Sequence, residues 1–282
     1  MKRLLLAACI AARALCAGEA FASGEERAIR IVSVAPATTE ILFALGSGSE
    51  LVGVSQFCNY PQEARNIEKV GTFSQPDIEK IISLRPDIVF CTGLEQAPAI
   101  TTFRQLGLKV YVSDPKNFED LYNSIIEISS LIGKTENGKA LVDKMKREID
   151  RIGRIAESNI GSSRPRVFIE FWHAPIMTAG RGSFIDEMIE RAGGVNIAKD
   201  SKKPYTYYSQ EQVFYHDPEY IILAYMQGGA DPYDLISKRY GWSGLSAVRN
   251  RHVYNDIDPD ILLRAGPRLV DGLRSIQERL AR

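Results

Sequence analysis

The chain has 282 residues, with equal numbers of basic and acidic side chains, 45% hydrophobic and 25% charged. Such a length and apolar content can bury a core in each of two domains, and nothing marks a disordered or fibrous protein. A formal charge of zero excludes any global electrostatic case for nucleic acid or an anionic membrane as partner, so partners must be argued from sites.

The start of the chain reads as an export signal over residues 1–22. Met1-Lys2-Arg3 is a basic beginning, an apolar stretch follows from Leu4, and Ala20-Phe21-Ala22 gives the small-x-small cleavage pattern, with a mature start near Ser23. Arg13 interrupts the apolar stretch, which falls short of the ~20 residues of a membrane span. Leu6-Ala7-Ala8-Cys9 offers a lipid anchor at Cys9 as an alternative. After cleavage, 32 bases face 34 acids, a charge of about −2, too small to imply a polyanion. Cys9 and Cys16 leave with the signal. Cys58 and Cys91 remain in an oxidising compartment, either bridged or as two partly buried thiols. Without clustered His they do not make a zinc site.

Strand and helix then alternate. Residues 30–34 predict a strand, 38–45 a helix stopped by Gly46, and 51–54 a second strand. A loop through Tyr60-Pro61 leads to a helix over 77–84, a strand over 87–91, a helix over 97–106 and a strand over 108–112. Such alternation predicts a mostly parallel sheet covered on both faces, with ligands beyond the carboxyl ends of the strands. The loops of interest are therefore 35–38, 56–61, 71–76 and 92–96. Residues 135–159 place Val142, Met145, Ile149, Ile152 and Ala156 at alternating spacings of three and four among charged residues, which predicts one amphipathic helix of roughly 37 Å.

The two sides of that helix resemble each other. Residues 79–90 read EKIISLRPDIVF and residues 211–222 read EQVFYHDPEYII; Glu79 to Pro86 has the spacing of Glu211 to Pro218, and an acid and an apolar run follow each proline. The pattern predicts an α/β protein of two Rossmann-like lobes with parallel sheets, residues 23–134 and 161–282, joined by a single rigid helix over 135–160.

The run RIVSVAPATTEILFALGSGSELVGVSQFCNYPQEA, with VGTFSQPDIEKIISLRPDIVF after it, resembles the periplasmic binding proteins that deliver cobalamin, siderophores or haem to ABC importers. The resemblance covers almost the whole mature chain and implies the same two-lobed architecture, no enzymatic activity, no intrinsic cofactor, a monomeric receptor, and as partners a metal chelate and an ABC permease dimer with its ATPase subunits. The cobalamin-binding branch is the most similar. Those proteins carry an acid and an arginine four apart before the last helix, matched by Asp260 and Arg264 in DPDILLRAGPRLVDGL. Haem binders tend to place a tyrosine ligand after the glycine that aligns with Gly71, where this chain has Thr72. Well-known cobalamin binders have tryptophan at Phe73 and near Thr92, so aromatic surface is thinner in the first lobe.

Cobalamin brings its own metal, so its receptor needs a wide cleft with aromatic faces and a few polar groups aimed at peripheral amides. Candidates are Ala37, Phe57, Tyr60 and Phe73 in the first lobe. The second offers Trp172, Met177 and the exposed-looking cluster Tyr205, Tyr207 and Tyr208, with Asp260 and Arg264 for amide or phosphate edges. The resemblance assigns Glu79 and Glu211 to docking on arginines of the two permease halves; an acid in a first helical turn also simply favours the helix dipole. His173, His216 and His252 are expected to be structural. A ferric siderophore or haem is the alternative cargo. From another class, two Rossmann-like lobes could house an exported glycosyltransferase, although 180–183 lacks a nucleophile-elbow spacing and no P-loop or dinucleotide fingerprint is present.

Overall fold

The computed structural model describes residues 27–159, 161, 163–225 and 231–281. The expected export signal and the anchor at Cys9 lie outside the described residues. Two sheets organise the rest. In the first, β1 (Ile31–Ser33), β2 (Leu51–Val54), β3 (Ile88–Cys91) and β4 (Val110–Val112) lie in the order β2-β1-β3-β4, all parallel. The crossovers contain α1 (Pro36–Ala44), α2 (Ile78–Ser83) and α3 (Ala97–Gln105). Ile31, Ile88 and Phe90 enter one apolar cluster, whereas Val32, Val89 and Cys91 enter another on the opposite face, so both sides of the strands are buried as a parallel sheet requires. Helix α1 starts at Pro36, earlier than expected, because proline's fixed φ and missing N–H suit a first helical turn.

The second sheet corrects the expectation of two parallel sheets. It contains β5 (Arg166–His173), β6 (Ile176–Ala179), β7 (Val195–Asn196), β8 (Tyr205–Tyr207), β9 (Tyr220–Leu223) and β10 (Val253–Tyr254), in the order β10-β9-β5-β6-β8 with β7 beside β5. β10, β9, β5 and β7 run parallel, but β5-β6 and β6-β8 are antiparallel. Only Ala174 and Pro175 separate β5 from β6, and a link that short can close only a hairpin.

Between the sheets run α4 (Phe118–Leu131) and α5 (Thr135–Asn159). The face of α5 that carries Val142, Met145, Ile149, Ile152 and Ala156 is buried. Gly138 lets α4 approach: a β-carbon there would lie 2.1 Å from Ser129 Oγ. In the second half, which also holds α8 (Pro232–Ser237) and α9 (Ser246–Arg249), α6 (Phe184–Arg191), α10 (Pro259–Leu263) and α11 (Leu269–Leu280) pack on the same core. One apolar cluster thus runs from Ile31 and Phe90 through Met145 and Ile149 to Ile169, Ile222 and Ile276. The two sheets share a core through the long helix.

The repeat seen in the sequence is also one of backbone chemistry. Asp77 caps α2 by accepting from Lys80 N, and Ser209 caps α7 (Gln210–His216) by accepting from Gln212 N. Beyond the two helices, Arg85 and Asp217 both take left-handed conformations, at φ 48° and 40°, which lets the chain turn sharply into a strand. Asp87 accepts from Arg30 N and Glu219 from Arg166 N, while both arginines donate back to carbonyls at the preceding helix end. Glu79 and Glu211 stand exposed at equivalent points of α2 and α7.

Candidate ligand-binding cleft

Loops at the carboxyl ends of β1, β3 and β4, with Phe57 and Phe73, face the second half of the chain across a cavity of about 360 Å³. Ala35, Ala37, Phe57, Phe73, Thr92 and Asp114 to Lys116 line one side; Phe184, Tyr205 and Leu263 to Ala265 line the other. Beneath it, Phe118 of α4 meets Phe184 of α6 edge-on at 5.6 Å, and Phe118 N donates to Glu187 Oε2 at 3.2 Å. Lys116 and Asp114 pair at 2.6 Å on the rim. Phe57 is 52% exposed, so the first-lobe aromatic surface is open to a ligand rather than used in packing.

Of the residues expected from sequence, Ala37, Phe57, Phe73, Tyr205 and Arg264 line this cavity. Asp260 stands behind it. Its carboxylate pairs with Arg264 Nη2 at 2.8 Å and accepts from Asn59 Nδ2 at 3.2 Å. Arg264 Nη1 donates to Asn59 Oδ1 at 2.6 Å and Glu40 Oε1 at 3.3 Å, and Nη2 reaches Phe57 O at 3.4 Å. The four Nη hydrogens of the arginine are thus matched by protein acceptors, two of them carboxylates that balance its charge, which leaves its Nε edge for a ligand. Tyr60 is displaced from the cavity: its ring lies 4.0 Å from the Arg268 guanidinium and lines a neighbouring groove with Glu40, Met145 and Arg274. Trp172 and Met177 lie outside the cavity on β5 and β6.

Tyr208 departs from the expected exposed cluster. It is 7% exposed, with its hydroxyl on Ile197 O at 2.9 Å, whereas Tyr205 and Tyr207 are 47% and 69% exposed. Its N–H still bonds Ile176 O, so the two-residue alternation of β8 continues one step and turns Tyr208 inward.

Glu40 was not anticipated. It is 4% exposed on α1 and accepts from Arg268 at 2.9 and 2.6 Å as well as from Arg264, residues 228 and 224 positions away. Burial opposes charge on Arg268, but its bonds to Glu40 and the nearby acids outweigh that and raise its pKa. Glu40 was legible in principle: a carboxylate inside the apolar run TTEILFAL demands buried cations. Cys58 and Cys91 are buried free thiols, and burial pushes the Cys91 thiol up to about 12. His216 lies on Tyr208 and His252 on Tyr220, ring against ring. Among the described residues, no group of three or more His, Cys, Asp or Glu could hold a metal ion, and no helix is long and apolar enough to cross a membrane.

The family described as periplasmic binding protein matches residues 31–260, and the chain belongs to it. Its members are solute-binding proteins rather than enzymes, and this chain is a substrate-binding component of an ABC importer. It is 34% identical to the uncharacterized ABC transporter substrate-binding lipoprotein YvrC of Bacillus subtilis, over 88% of this chain and 79% of that one. It is 31% identical to the vitamin B12-binding protein of Vibrio cholerae, over 88% and 87%. A solved structure of the latter superposes with a TM-score of 0.73 over 90% and 96% of the two chains, at 30% identity. The periplasmic haem-binding protein RhuT of Roseiflexus sp. RS-1 gives 0.77 over 90% and 98%, at 25% identity.

Proposed function

We propose that the cargo of this importer component is cobalamin or a closely related corrinoid, bound between lobes formed by residues 23–134 and 161–282 around the helix at 135–160. The observation that carries the reading is the cavity itself: Phe57 and Phe73 face Tyr205 across it, with Arg264 held at its edge and Lys116 paired to Asp114 on the rim. Apolar walls with few polar groups suit a large amphipathic chelate that carries its own metal. Thr72, where haem binders of the family tend to place an iron-ligating tyrosine, favours a corrinoid over haem, and the likeness to the Vibrio cholerae protein points the same way. Glu79 and Glu211 are read as the docking acids: each is exposed in the first turn of its helix, and equivalent charges on a stiff body suit a twofold-symmetric permease. Export to the periplasm, with cleavage after Ala22 or lipidation at Cys9, belongs to the same reading.

Calorimetric titration with cyanocobalamin, haemin and a ferric siderophore tests the cargo. The expected result is one-to-one binding of cyanocobalamin, weakened in Arg264→Ala and Asp260→Ala. Heat with haemin or the siderophore alone would reassign the cargo within the same family.

A further inference from the structure

The half-open cavity, about 360 Å³, lies near the small end of pockets that hold drug-sized ligands, and a corrinoid is larger than those. The remainder needs a surface. Beside the cavity, Trp172 of β5 stands opposite Met177 of β6, and Met177 opposite Tyr207 of β8. Residues directly opposite in antiparallel strands share a face, and so do residues two apart on one strand. The row therefore lies on the face of Tyr205, which lines the cavity; a register irregularity in β5 between Glu170 and Trp172 interrupts the alternation there, and Phe171 meets Tyr205 edge-on at 5.8 Å.

The three side chains do not make core. Trp172 is 53% exposed, Tyr207 is 69% exposed, and Met177 is half-buried between them. The indole is fixed by its Nε1 donating to Ala174 O at 2.9 Å. Two inter-strand spacings set the width of the row at roughly 9.5 Å. That is a plate, not a groove: its apolar surface is the face of the sheet, so it suits a flat ring system rather than an added peptide strand, which would need the hydrogen-bonding edge. Two aromatic rings flanking a polarizable thioether form a stacking surface tolerant of substituents.

We infer that Trp172, Met177 and Tyr207 form an outer shelf on which the flat macrocycle of the cargo lies while one edge enters the cavity past Tyr205. This rests on the reading of the cargo as a chelate macrocycle, and it makes Tyr207 and Trp172 determinants of affinity that the cavity lining omits.

The test is calorimetric titration with cyanocobalamin. Trp172→Phe, which keeps a ring, should retain most of the affinity. Tyr207→Ser should weaken binding roughly fivefold, and the double variant with Trp172→Ser roughly thirtyfold. Tyr207 is exposed enough that its single variant decides the matter should the double variant fold poorly. Unchanged affinity in Tyr207→Ser overturns the shelf while leaving the cobalamin reading intact. If the wild-type protein binds haemin instead, the same losses with haemin support the shelf and their absence overturns it; binding of neither overturns both readings.

Discussion

Arg264 illustrates how much a single side chain can be constrained before any ligand arrives. With Asn59, Asp260, Glu40 and the Phe57 carbonyl around its guanidinium, it has one orientation to offer, and Asp260 serves that orientation from behind. We therefore expect Asp260→Asn to weaken cyanocobalamin binding less than Arg264→Ala, a ranking that calorimetry on the two variants checks. Arg264 and Asp260 stood out in the sequence only through the family resemblance, which matches them to an acid and arginine pair, and the difference in their positions depends on Asn59, distant in the chain and unremarkable by type. The thiols give a second prediction. Cys91 has its pKa pushed up to about 12 by burial, while an unfolded thiol ionises near ~8.5. The unfolded state thus loses its proton first, so this contribution to stability is complete below about pH 8.5 and fades as pH rises toward 12. Iodoacetamide at pH 8 should label Cys58 and Cys91 only when denaturant is added.

At the scale of elements, the tie between α1 and the segment after α10 deserves a measurement of its own. Glu40 lies between Arg264 and Arg268 with almost no exposure, so its removal leaves Arg268 with only the more distant Asp258, and Arg264 with Asp260 alone, in a partly buried place. Glu40→Ala should cost about 3 kcal/mol, within the range seen when one partner of a buried ion pair is deleted, read as a lowered denaturant midpoint. Glu40→Gln, which keeps the shape, should recover part of it. Most elements were legible: the spacing of Val142, Met145, Ile149, Ile152 and Ala156 marks α5, and the Pro86 and Pro218 motifs mark the entries to β3 and β9. What periodicity could not supply was strand direction. His173, Ala174 and Pro175 mark a loop between Trp172 and Met177, but nothing there says that the next strand turns back; the two-residue turn makes a hairpin that presents Trp172, Met177 and Tyr207 side by side.

The whole molecule is held by a core that does not stop at the lobe boundary. Because Phe90, Met145, Ile169 and Ile276 belong to one apolar cluster, a single cooperative unfolding transition is expected, and calorimetry that resolved two independent transitions would contradict it. The same continuity predicts only modest closure on binding, checked by comparing the radius of gyration in solution with and without cyanocobalamin; a large hinge rotation would count against it. Reversal of both Glu79 and Glu211 to arginine should abolish uptake in cells and leave ligand affinity unaltered, since both acids stand away from the cavity lining.

The shared core also bears on how cargo is told apart from its absence. If closure is as modest as predicted and Glu79 and Glu211 are the docking points, the membrane partner would meet nearly the same pair of acids on full and vacant copies. Vacant copies would then compete with full ones for the importer, and transport would depend on the ratio of the two as well as on their total. The importer would favour full copies only by touching the cargo itself at the cleft mouth, beside the exposed Phe57 and Tyr205.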